Sequence, residues 1–384
     1  MYDFKHMRLV PKPRQRVLVT SDIHGHIDHL RAVLQKARFC ADDLLIIVGD
    51  ILEKGPDSLR TLRYVMQLCA EWRAIALIGN VDYWLWEQIE ALRSHPENAE
   101  AFLRHIRHIR KWKGTCFYDE LCREIGKTVD TAAELAATAD AVLEHFAAEF
   151  DFLRGLPTVL ETSKYVFVHG GLYDTELAAN YSRPPYELLK FDHFLTDARE
   201  KGQRFEKYVV VGHWPAALYS DKIPCFNPVI DEATHIISID GGCGIKRDGQ
   251  LNLLILPTLD CGTSEITHIY HDDLPTVTAK TSQAPSDNSF CIVWGDDKVR
   301  LLTADGDMAE IEHIRTARRM WVPAEFLYDD PGALSPGDCT RTIDCTDYRL
   351  PVSAGDTLSV VQRTSCGIHA KQNGITGWCM GEVE

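Results

Sequence analysis

The chain contains no CxxC pair; its twelve cysteines are scattered singly through 384 residues. That scatter fits reduced, mostly buried thiols of a cytoplasmic protein better than a disulfide framework, with Cys116 and Cys122 read as core packing. The amino-terminal stretch MYDFKHMRLVPKPRQRVLV has no apolar run long enough for a signal peptide, and no window approaches a membrane span. Basic charge is scarce. Lys and Arg number 41 against 56 Asp and Glu, and the net charge of −15 repels a nucleic-acid backbone. The only dense basic run is RHIRHIRKWK, Arg104 to Lys113. It reads first as the solvated face of a cap helix and second as a receiver of acidic substrate.

What is present is apolar content of 45%, enough for one large domain and a smaller one. Over the first ~270 residues, β-type runs alternate with helical patterns, which predicts an α/β domain. Strands are expected at Arg16–Thr20, Leu44–Val48, Ala74–Ile78, Tyr165–Val168, Tyr208–Val211, Ile236–Ile239 and Leu251–Leu256. Helical spacing runs through Ile27, Leu30, Leu34 and Ala37, and again through Ser58–Ala70. Residues 83–150 have helical composition and predict a cap beside the site. Residues 274–289, rich in Pro, Ser and Thr, read as a linker. The domain boundaries expected are therefore 1–272, 273–288 and 289–384. In the last of these, GDTLSVVQRT and GIHAKQNGITGWC resemble a bacterial SH3-like barrel, with a tight turn at Asn373-Gly374. A peptide groove there would draw on Trp321, Tyr328, Tyr348 and Trp378.

Five polar motifs each follow an apolar run: SDIHG, GDILEKG, GNVD, HGG and GHWP. They supply Asp22, His24, Asp50, Asn80, His169 and His213. Loops at the carboxyl ends of buried strands are where open α/β sheets bind ligands. Carboxylate and amide oxygens with imidazole nitrogens suit Mn, Fe or Zn rather than a thiolate-seeking ion. A carboxylate shared by two such ions, ~3.5–4 Å apart, suits in-line attack of an activated water on phosphorus. DxH alone is weak evidence; the specificity lies in the ordered combination.

The chain resembles the calcineurin-like metallophosphoesterases, and within them the phosphoprotein phosphatases, whose pattern is GDxHG, GDxVDRG, GNH[DE], HGGL and GHT. The resemblance covers about residues 15–257 and includes FLRGLP before HGGL and IDGGCG after GHWP. It implies a four-layer α/β/β/α sandwich with a helical cap insertion. It also implies that Asp22 and His24 hold one metal, that Asp50 bridges, and that Asn80, His169 and His213 hold the second. Manganese is the ion expected, with iron or zinc as alternatives.

The chain departs from that pattern at three positions. Where the family has the proton-donating His of GNH[DE], this chain has Val81; Glu53 replaces the Asp that orients it, and Lys54 replaces the phosphate-gripping Arg. Losing a positioned acid typically costs about 10²–10⁴ in rate, and lysine keeps the charge but not the bidentate fork. His26 or a protonated Glu53 is the expected replacement donor, with Arg183 a second phosphate grip. Alternatively the leaving group needs no acid. His29 and His193, and His26 on its plainer reading, suit a helix surface or loop. Trp84 and Trp86 suit packing before base stacking, and Trp214 a pocket rim.

These readings converge on a two-metal phosphoesterase acting on a phosphoprotein. The close alternatives are a dinucleoside polyphosphate and a phosphodiester, and a phosphate-binding regulator is the alternative of another class. Partners expected are a phosphorylated protein or small phosphoester and a peptide for the tail, with no nucleic acid and no membrane.

Overall fold

The computed structural model describes residues 4–10, 12–71 and 74–384. The chain divides into two compact units, one of residues 1–215, 228–245 and 249–271, the other of 216–227, 246–248 and 272–384. No helix among the described residues is long and apolar enough to cross a membrane.

Among the described residues, the first unit is built on eleven strands. They are β1 (His6–Arg8), β2 (Val17–Thr20), β3 (Leu44–Val48), β4 (Ala74–Leu77), β5 (Val159–Glu161) and β6 (Tyr165–Val168), then β7 (Tyr208–Val211), β8 (Val229–Asp231), β9 (Ile236–Ser238), β10 (Leu251–Leu256) and β11 (Thr267–His271). One sheet has the order β11-β10-β2-β3-β4, the other β1-β5-β6-β7-β9-β8. β2, β3 and β4 run parallel in the first, and β6, β7 and β9 run parallel in the second.

Strand alternation sorts the side chains between layers. Val17, Val19, Leu44, Ile46 and Val48 pack with Tyr165, Phe167, Val210 and Ile237 of the other sheet. The intervening Leu18, Leu45 and Ile47 belong to the core formed with the helices. This double burial is why β2 and β3 read as unbroken apolar runs.

The helices are α1 (Ile27–Lys36), α2 (Ser58–Glu71), α3 (Asn80–Ser94), α4 (Ala99–Lys113), α5 (Phe117–Glu124), α6 (Ala132–His145), α7 (Ala147–Gly155), α8 (Pro185–Leu189) and α9 (Phe194–Lys201). The insertion expected from residue 83 starts earlier: α3 begins at Asn80 itself, so a candidate ligand is the first residue of the cap's first helix. The insertion packs through Phe102, Leu103, Ile106, Phe117, Leu121, Leu135 and Val142. The basic run lies on α4, where Ile106 and Ile109 face inward and Arg110 pairs with Asp119.

The second unit is all β. Its strands are β12 (Thr276–Thr278), β13 (Cys291–Ile292), β14 (Lys298–Asp305), β15 (Met308–His313), β16 (Arg319–Pro323), β17 (Cys339–Arg341), β18 (Cys345–Thr346), β19 (Thr357–Thr364), β20 (Gly367–Gln372) and β21 (Ile375–Cys379). They form sheets of order β12-β19-β20-β21 and β16-β15-β14-β17 plus the β13-β18 pair. The stretch expected as a linker is corrected here. β12 lies within it and pairs antiparallel with β19, because Val277 and Ala279 both turn into the core. Of the four aromatics considered for a groove, Tyr348 and Trp378 are buried, whereas Trp321 and Tyr328 are exposed.

Candidate metal centre

The five motif loops leave the carboxyl ends of β2, β3, β4, β6 and β7. Backbone hydrogen bonds lock the first two together: Asp22 N–H donates to the Gly49 carbonyl at 3.1 Å, and His24 N–H to the Asp50 carbonyl at 3.0 Å. Asp22, His24, Asp50 and His213 have φ of 53°, 48°, 51° and 65°. Left-handed backbone costs a non-glycine residue roughly 1–2 kcal/mol, and such strain concentrates at functional sites. Gly79 is required for close approach: a Cβ there would lie 2.1 Å from the Asp50 Oδ1.

Around Asp50 the side chains form two groups. Its Oδ2 lies 3.6 Å from His24 Nε2, which is itself 3.8 Å from Asp22 Oδ1. Its Oδ1 lies 3.4 Å from His169 Nε2, which is 3.0 Å from Asn80 Oδ1. His213 completes this second group, its ring centroid 5.4 Å from that of His169.

Backbone carbonyls fix the tautomers. His24 Nδ1 pairs with the Leu52 carbonyl and His169 Nδ1 with the Val48 carbonyl, which leaves each Nε2 for an ion. His213 is arranged the other way. Its Nε2 pairs with Asp192 Oδ1 at 2.7 Å, leaving Nδ1. Lys190 Nζ stands 3.5 Å from the same Nε2.

All six ligand candidates thus gather as two clusters sharing one carboxylate. Burial and mutual charge shift the ionisable groups of both clusters. Burial raises Asp22 to about 6, with Asp50 adding to the shift, and raises Asp240 well above its ordinary value. Burial also opposes ionisation of Asp50, but the charges of His169 and His24 hold its carboxyl low. For His169, burial works downward and is outweighed by Asp50 and Asp22, giving about 9. Burial lowers His213 to about 4. Asp22 Oδ1 is buried with no hydrogen-bond partner. Its oxygen and the His24 nitrogen suit a divalent ion.

The other sequence candidates are distributed as follows. Lys54 Nζ lies 3.3 Å from His24 Nε2, beside the first cluster. Glu53 is buried, and its Oε1 pairs with His105 Nε2 of α4 at 3.2 Å while its Oε2 accepts from the Phe117 N–H. His26 is grouped with His29 and Cys243. Arg183 is 40% exposed, pairs with Glu187 at 2.8 Å and lies over the Tyr173 ring, so its charge is already engaged on the surface. Trp84 packs on Phe102 and His105, Trp86 is buried, and Trp214 packs against a tilted His193 ring.

Three residues were not found from sequence. Asp192 orients His213, His105 answers Glu53, and Asp82 accepts the N–H groups of Ile51, Leu52 and Gly79, tying the β3 loop to α3. Only Asp82 carried a local signal, as the last letter of GNVD.

A bis(5'-nucleosyl)-tetraphosphatase, symmetrical, from Legionella pneumophila (strain Lens) is 27% identical over 272 residues, 61% of this chain and 91% of that protein. One of the same name from Aeromonas salmonicida (strain A449) is 38% identical over 99 residues, 22% of this chain. The chain spans only 36% of the Aeromonas relative's length. A solved serine/threonine phosphatase from Saccharomyces cerevisiae shares 12% identity at a TM-score of 0.41, covering 71% of this chain and 85% of that one, and adds no argument about activity. The calcineurin-like phosphoesterase profile matches residues 15–231, more than half of the sequence. With that match and the two clusters around Asp50, the chain belongs to the calcineurin-like phosphoesterases, a family of metal-dependent phosphoester hydrolases that use two divalent ions.

Proposed function

We propose that this chain hydrolyses dinucleoside polyphosphates, cleaving a phosphoanhydride between two nucleotide halves. The observation that carries the hydrolytic part is the division of Asp50 between His24 and His169. Cations held by Asp22, His24, Asp50, Asn80, His169 and His213, manganese by this reading, would neutralise phosphoryl charge and lower the pKa of a bound water. Lys54 adds a fixed positive charge beside His24.

Two considerations favour a nucleotide over a phosphoprotein. The curated relatives carry the tetraphosphatase name. The family's proton donor is also missing, with Val81 in its place. A phosphate leaving group has a second pKa near 6, roughly ten units below that of an alkoxide if bulk water at about 15.7 is the guide. An anhydride therefore tolerates a weak acid where a phosphoserine does not. By this reading His105, paired with the carboxylate of Glu53 at 3.2 Å, would supply the proton. The C-terminal unit is read as an SH3-like appendage for a peptide partner, supported by the β20–β21 hairpin on Asn373-Gly374 and by exposed Trp321 and Tyr328.

The test is purified protein with Mn²⁺, offered diadenosine tetraphosphate, a nitrophenyl monoester, its bis-ester and a phosphoserine peptide. Release of two nucleoside diphosphates, abolished in Asp50→Asn, is the expected result. Turnover of the phosphopeptide alone would overturn the substrate. Bound metal with no turnover of any ester would favour a phosphate-binding regulator.

A further inference from the structure

A second group of metal-ligating side chains lies in the first unit, outside the six residues around Asp50. His26 is the N-cap of α1, and His29 lies three residues on in its first turn. Cys243, in the loop after β9, is 2% exposed. One donor atom from each of the three lies within 4.8 Å of the other two. The ring centroids of His26 and His29 are 4.9 Å apart in an edge-on arrangement. Two imidazoles on one tetrahedral zinc, each with Zn–N of about 2.0–2.1 Å, have centroids roughly 5 Å apart.

The loop is shaped to approach these rings. Gly244 has φ +70°, and a Cβ there would lie 2.8 Å from His26 Nε2. His271, at the end of β11, packs edge-on against His29 with centroids 5.2 Å apart.

We propose that His26, His29 and Cys243 form a third metal site, of His₂Cys type, for zinc or another borderline-soft divalent ion. Tetrahedral edges around zinc are about 3.3–3.8 Å for these donors, so the three groups need only draw together by roughly an ångström. Two nitrogens and a thiolate select a different ion from the oxygen-rich clusters around Asp50. The fourth position is left to water. An ion there ties the start of α1 to the 241–245 loop and so braces the segment that carries Asp22 and His24.

Cobalt separates this site from the centre around Asp50, because only a thiolate ligand gives a sulfur-to-cobalt charge-transfer band in the near ultraviolet. The full chain is stripped of metal, titrated with Co²⁺, and analysed for metal content. The expected result is that band with one more ion per chain than in Cys243→Ser, where the band is lost. His29→Gln, which keeps the thiol, weakens cobalt affinity by about 10-fold or more and decides the matter if the serine variant does not fold. In Asp50→Asn the band persists, so this site stands or falls separately from the proposed hydrolase. Absence of the band in the native sequence, or its persistence undiminished in either folded variant of Cys243 or His29, overturns the proposal.

Discussion

Asp50 and His169 meet at 3.4 Å through one carboxylate oxygen, while the other oxygen of Asp50 faces His24 at 3.6 Å. Replacing this aspartate with asparagine leaves a single acceptor oxygen for two clusters. Asp50→Asn is expected to lower kcat by more than the ~10–100-fold that an outer-sphere change costs. Metal content, read by elemental analysis, should fall with it. An active variant holding its full metal complement would refute the bridging role.

Asp192 acts one bond further out. Its contact with His213 Nε2 fixes the imidazole so that Nδ1 is presented. Asp192→Asn is expected to weaken metal affinity by about 10–100-fold, with rate recovered as Mn²⁺ is raised. A rate defect that saturating metal leaves untouched would place Asp192 elsewhere in the mechanism.

The His105–Glu53 pair gives a prediction about leaving groups. His105→Ala should slow an alkyl phosphate by about 10²–10⁴ and a nitrophenyl or anhydride substrate far less. The ratio of the two rates is the measurement. Equal losses on both would mean that His105 only packs against Trp84 and Phe102.

His369 is expected to contribute to the acid sensitivity of the C-terminal unit. Burial, aided by the charge of Arg247, lowers its pKa to about 4 from an ordinary 6.5. The folded state therefore prefers the neutral ring. That contribution is complete above pH 6.5 and is lost as pH falls through 4. Thermal melts of the native sequence should decline across that window, and His369→Leu should flatten the decline. Parallel curves for both proteins would assign the acid sensitivity to other groups.

Much of the centre was legible because each motif is local: a buried strand, a turn and a ligand within a few residues. The spacing of β2, β3, β4, β6 and β7 followed from apolar runs that are almost wholly buried. The four strands that escaped notice, β1, β5, β8 and β11, have half-buried or exposed positions that blur any apolar signal. The supposed linker misled through composition, since its prolines and serines conceal the inward pair Val277 and Ala279. Contacts such as Glu53 with His105 join positions 52 residues apart on a loop and a helix, and no periodicity records them.

The backbone bonds from Asp22 to Gly49 and from His24 to Asp50 have a consequence for how this protein acquires its ions. The strained loops are clamped by main chain to main chain, so their geometry does not wait on coordination. Loading and stripping should behave as simple occupancy of a rigid cradle, without the coupled folding of a zinc finger, and far-ultraviolet dichroism should barely change when a chelator empties it.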